Sequence, residues 1–128
     1  MTEREVARLF HAFNARYFGN RLPPYRVLFR WNRAGPDVVE EGCCYRKRRL
    51  ILLCPGMRRS RREVSFMLLH EMVHAATGDY HGGRFWREFK RLAEEGAPLG
   101  RGFKVHTQHL PTRELTRSHR RGTGKGGK

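Results

Sequence analysis

Residues 70–85 read HEMVHAATGDYHGGRF, and this stretch decides how the rest of the chain is read. Residues four apart on a helix lie on one face, so His70 and His74 aim their imidazoles at a common point and Glu71 sits beside it. Imidazole nitrogens bind zinc at about 2.0 to 2.1 Å, and a His-Glu-x-x-His pattern on a helix holds such an ion and sets a general base next to it. Local signals do place the pattern on a helix, over about residues 61–76. Ser60 followed by Glu63 reads as a capping box, while Val64, Met67, Leu68, Met72 and Val73 recur at helical spacing. Gly78 suits the left-handed conformation that ends a helix. A catalytic zinc takes three protein ligands and leaves one position open. His81, just past the turn, is the expected third ligand; Asp79 and Glu88 are the alternatives, either of which would leave His81 as a helix cap.

Working outward, Thr2 caps a first helix in which Val6, Leu9, Phe10, Phe13 and Tyr17 keep helical spacing until Gly19-Asn20 stops it. Leu22-Pro23-Pro24 makes a stiff turn. Residues 25–31 alternate, with Val27, Phe29 and Trp31 on one face and Arg26 and Arg30 on the other, which predicts a half-buried strand. Residues 32–40 read as a loop around Gly35-Pro36. Residues 41–45 and 50–54 read as a hairpin whose tip is Arg46, Lys47, Arg48 and Arg49. Beyond the metal helix, residues 83–95 form another helix with a narrow apolar face of Phe85, Phe89, Leu92 and Ala93. Residues 97–111, with Phe103 and Val105, predict a short edge strand; His106 and His109 there lack a ligand spacing. The expected architecture is one α+β domain over residues 1–111. It has an N-terminal helix, a three-stranded antiparallel sheet, the metal helix and a following helix. Residues 112–128 are expected to be a flexible basic tail, too polar to bury a core.

Composition narrows the function classes. At 128 residues there is room for one domain, and the 38% hydrophobic fraction is ordinary for a globular chain. No apolar run approaches the ~20 residues of a membrane span, and no basic segment leads a signal-peptide core. The reading is a monomeric cytoplasmic protein, nucleoid-associated in a prokaryote, with no membrane partner. Three cysteines without a Cys-x-x-Cys spacing, Cys43, Cys44 and Cys54, read as buried free thiols rather than a second zinc site. Lys and Arg number 27 against 12 Asp and Glu, a net charge of +15, which points to a polyanionic partner. The charge is concentrated. Residues 46–62 hold Arg46, Lys47, Arg48, Arg49, Arg58, Arg59, Arg61 and Arg62 with no acid among them. The last four crowd a helix start, where the dipole disfavours cations by about 0.3 to 1 kcal/mol each, so local stability does not account for them. A phosphate backbone does. The competing reading is a solvated basic surface. Trp31, Tyr45, Tyr80 and Trp86 are the aromatics that would stack exposed bases.

LFHAFNARYFGNRLP, a strand ending in Trp31, a glycine-containing strand pair, HEMVHA and HGGRFWREF follow one another in this order, and the chain resembles the SprT-like zinc metallopeptidase domain of the Spartan proteases over about residues 5–95. The resemblance implies a helix-rich α+β domain with one zinc on three histidines, which fall on His70, His74 and His81, and a catalytic glutamate that falls on Glu71. It further implies DNA-dependent cleavage of proteins crosslinked to DNA, the DNA being single-stranded or branched. Spartan-type proteins carry further zinc-binding or DNA-binding segments. This chain has no cysteine or histidine pairs for one, which leaves that task to the basic hairpin and tail. The expected chemistry is peptide hydrolysis: zinc lowers the pKa of a water towards about 7, and Glu71 takes the proton and passes it to the leaving amine. Tyr80, then Tyr45, are the candidate donors to the developing oxyanion, and Asp79 the candidate partner of a ligand histidine. The alternative is a nucleic-acid-binding module in which zinc only stabilises the fold.

Overall fold

Thr2 opens the first helix, α1 (Glu3–Tyr17), with a complete capping box: its hydroxyl accepts from the Glu5 N–H at 3.1 Å and the Glu5 carboxylate accepts from the Thr2 N–H at 2.9 Å. Val6, Phe10 and Phe13 are buried, with Leu9 and Tyr17 packed at the margin. Gly19 and Asn20 both take positive φ after the helix. Buried Asn14 holds the turn that follows by bonding both main-chain groups of Leu22. The computed structural model describes residues 1–35 and 38–99. Most of the expected 97–111 strand, with Phe103, Val105, His106 and His109, lies outside the described residues, as do the 111/112 boundary and the tail.

Five short strands follow: β1 (Arg26–Phe29), β2 (Asn32–Gly35), β3 (Val38–Glu40), β4 (Gly42–Tyr45) and β5 (Leu50–Leu53). The main sheet has the order β1-β5-β4, and it is mixed, which corrects the antiparallel expectation. β4 and β5 pair antiparallel across the basic turn, but β1 pairs parallel with β5, Arg26 opposite Leu50 and Phe29 opposite Leu53. A parallel pair needs a long connection that brings the chain back to the same end, and residues 30–49 supply it. Part of that connection is itself a hairpin: β2 and β3 pair antiparallel, Asn32 opposite Glu40, where a loop was expected over 32–40. Val27 and Phe29 face the core as expected. Trp31 does not; it lies past the end of β1 and is 62% exposed.

A single 3-10 turn, Pro55–Arg59, leads into α2 (Arg61–Thr77), and α3 (Gly83–Glu94) closes the order. Ser60 caps α2 by accepting from the Glu63 N–H at 3.2 Å, one half of the expected box. Val64, Met67, Leu68, Leu69, Met72 and Val73 are all buried, on more than one face, because α2 is the central helix, with the sheet, α1 and α3 all packed against it. Phe85, Phe89 and Leu92 bury the apolar side of α3. The architecture is α+β, three helices with a three-stranded mixed sheet and a two-stranded one, and the metal motif lies on its most buried helix. None of the helices among the described residues is long and apolar enough to cross a membrane.

Candidate metal centre

α2 ends where the sequence predicts. Gly78 takes φ 66°, and its N–H reaches back to the His74 carbonyl at 2.8 Å. The chain then reverses, and His81, itself at φ 57°, returns to the helix face that carries His70 and His74. One ligand atom from each of the three histidines lies within 4.8 Å of the others, so they are close enough to hold a metal ion. Nε2 of His70 and Nε2 of His81 are 3.1 Å apart; two nitrogens at about 2.05 Å from a tetrahedral ion would lie about 3.3 Å apart. Nδ1 of His74 meets the Asp79 carbonyl at 2.9 Å. A carbonyl only accepts, so that nitrogen carries the proton and Nε2 is left with its lone pair for a metal. Neither alternative third ligand belongs to the cluster. The Asp79 carboxylate accepts from the Phe85 N–H at 3.1 Å, at the start of α3, and Glu88 is engaged by Arg91 and Arg21.

Glu71 is one residue beyond His70 and only 3% exposed. Burial, reinforced by the nearby Glu40 carboxylate, pushes its carboxyl up to about 8. A cation beside it would favour the charged form again. The carboxylate lies against Gly42 on β4: a Cβ there would come within 2.7 Å of Glu71 Oε2 and of Met67 Cε. Glycine leaves room here for the tips of the Glu71 and Met67 side chains, a close approach that the sequence reading missed. Among the described residues β4 is an edge strand, paired to β5 on one side. Between it and α2 runs a cleft of about 420 Å³ whose walls include Gly42, Glu71 and the three histidines.

The cleft also collects residues with no individual signal in the sequence. Glu40 and Glu41 stand at its rim; the Asn32 amide donates to the Glu40 carboxylate, and the Asn32 carbonyl accepts from the Tyr45 hydroxyl at 3.2 Å. Tyr45 is thereby committed to Asn32. Tyr80 lines the cleft, 74% exposed, with its ring stacked on His74 at 5.7 Å. Asp79 is a histidine partner, through its carbonyl rather than its side chain. The three cysteines are free but half-buried, not buried as expected. Burial, with the Glu71 charge next, pushes the Cys44 thiol up to about 12, so it stays protonated. All eight basic residues of the 46–62 run are exposed, but they form two groups rather than one. Arg46 docks at Ala75, near the end of α2, while Arg61 and Arg62 begin that helix. A third basic set was not foreseen: Arg84, Arg87 and Lys90 are exposed on α3. Comparisons of the chain with protein-family models, with curated proteins and with solved structures give no match.

Proposed function

We propose that this chain is a zinc-dependent endopeptidase of the SprT-like, zincin-like type, acting on proteins bound or crosslinked to DNA. The observation that carries the reading is the convergence of three imidazoles beside a buried glutamate, in a cleft bounded by an edge strand. Three nitrogen donors with a fourth direction left to the cleft fit zinc, the metal that such sets hold in hydrolases. Zinc, when bound to His70, His74 and His81, supplies Lewis acidity to a water and to the substrate carbonyl. The remaining steps belong to the chain. Glu71 takes the proton of the attacking water and delivers it to the leaving amine, and Gly42 leaves the space in which its carboxylate sits. An extended peptide added to the edge of β4 that is unpaired among the described residues would run past both. Tyr80, which lines the cleft with its ring stacked on His74, is the proposed donor to a developing oxyanion. The two exposed arginine-rich groups support binding of a phosphate backbone.

The test is cleavage of a DNA-binding protein by the zinc-loaded chain, with and without single-stranded DNA, against Glu71→Gln. Loss of about 10² to 10⁴ in rate on removing the base, with zinc content and fold retained, is the expected result. Cleavage that also needs DNA establishes the DNA-directed reading. Cleavage without it keeps the peptidase alone, and DNA binding without cleavage supports a zinc-stabilised nucleic-acid module instead.

A further inference from the structure

Arg46 behaves differently from the three cations that follow it. Its side chain folds back onto α2: Nε–H donates to the Ala75 carbonyl at 3.2 Å, and the guanidinium lies over Gly78, where a Cβ would come within 2.6 Å of Nη1. No carboxylate among the described residues pairs with it. Arg46 lines the same cleft as the three histidines, and Glu40 and Glu41 line it too, before the start of β4. Five residues of extended chain at about 3.3 Å each separate Glu41 from Arg46, about 16 Å. The cleft lining is therefore polarised along β4, negative where the strand begins and positive where it ends, with Glu71 against Gly42 at its start.

A guanidinium presents donors in a planar fork that matches a carboxylate. Arg46 is anchored through Nε, so part of the cost of ordering it is met before a ligand arrives. We propose that Arg46 is the carboxylate receptor of the cleft: it holds an acidic group of the peptide substrate on the side of the scissile bond nearest the end of α2. The acid is a Glu or Asp side chain or the C-terminal carboxylate of the substrate. This rests on the peptidase reading. A purely structural role, an arginine capping the last turn of α2, would leave substrate charge irrelevant.

The test uses the zinc-loaded full chain and decapeptides of one sequence, acetylated and amidated, in which a single position at a time is Glu, Gln or Lys, together with the Gln peptide carrying a free C-terminus. At one position, or at the free terminus, Glu or carboxylate should exceed its neutral counterpart at least tenfold in kcat/KM, mostly through KM. Arg46→Gln should remove that ratio, whatever its effect on the absolute rate with the Gln peptide. Arg46→Glu should turn the preference toward Lys. A position effect assigns the side-chain carboxylate, and a terminus effect the C-terminal one. An acid preference that persists in Arg46→Gln, or no acid preference in the parent, overturns the proposal. The same peptides, fluorescein-labelled, are titrated into zinc-loaded Glu71→Gln protein with and without Arg46→Gln. Their Kd ratios judge Arg46 even if nothing is cleaved, in which case the peptidase reading falls by itself. Competitive displacement of the Glu peptide by a dT4 oligonucleotide, lost in Arg46→Gln, would assign the site to phosphate and overturn the carboxylate.

Discussion

Gly42 and Glu71 form the contact on which the proposed chemistry depends. A carboxylate in so buried a place keeps its position only if the wall opposite leaves room, and the wall opposite is the Cα of a glycine. Gly42→Ala puts a methyl group within 2.7 Å of Glu71 Oε2 and of Met67 Cε, so the carboxylate must turn or the strand must retreat. Overpacking of this kind typically costs about 1 to 3 kcal/mol. The expected outcome is a fall of at least tenfold in kcat with zinc affinity within about threefold of the parent, since the atoms that the new methyl meets first belong to Glu71 and Met67. Steady-state kinetics beside a competitive zinc titration checks it; equal losses in both would mean that the strand had moved the whole centre. Nothing near Gly42 in the sequence announces this constraint, because it is imposed by a helix that comes later in the chain. His70 and His74 were legible, by contrast, because their spacing on one helix is itself the geometry, and His81 because it follows the Gly78 turn so closely.

The turn between α2 and α3 works as a unit. Asp79 gives its carbonyl to His74 and its carboxylate to the Phe85 N–H, Gly82 leaves room for that carboxylate, and the Trp86 indole donates to the His81 carbonyl at 3.0 Å. Asp79 therefore holds His74 through its main chain and ties the turn to α3 through its carboxylate, while Trp86 holds the main chain of His81. Asp79→Ala leaves the buried Phe85 N–H without its acceptor, a loss of about 1 to 3 kcal/mol. It also loosens the turn that orients His74 and His81, for which a loss of about 10- to 100-fold in zinc affinity is expected. Urea unfolding and zinc titration should move together in this variant. In Ser60→Ala only stability should fall, by about 1 kcal/mol. Caps of this kind explain why the helices were readable: Thr2, Ser60 and Gly78 mark their ends chemically, within a few residues of the helices they bound. The sheet was less so. Alternation of Val27 and Phe29 is the same whether β1 meets its neighbour parallel or antiparallel, and the partner strand, β5, is separated from it by residues 30–49. Trp31 continued the alternation on paper although the strand had already ended.

Across the molecule, the two groups of cations that are adjacent in sequence lie at opposite ends of the central helix. α2 has 17 residues, about 25 Å at 1.5 Å per residue. Arg58, Arg59, Arg61 and Arg62 lie at its start, and the turn carrying Lys47, Arg48 and Arg49 lies near its end, with the metal cleft between. A polyanion that touches both must run alongside the cleft, and a strand too short to reach should feel one group only. Each phosphate contact on a single strand contributes about 0.7 to the slope of log K against log salt. Replacing Lys47, Arg48 and Arg49 by Gln should lower that slope by about 2 on a twelve-nucleotide strand, and replacing the other four by Gln should lower it by about 2 to 3. On a four-nucleotide strand the two losses should no longer combine, because its three internal phosphates fall well short of the ~25 Å between the helix ends. Fluorescence anisotropy across a salt series measures both lengths. Slopes that ignore either group would leave that group as solvated charge. Slopes that fall together even on the short strand would mean that the groups share one site, and the strand would then have no need to pass the cleft.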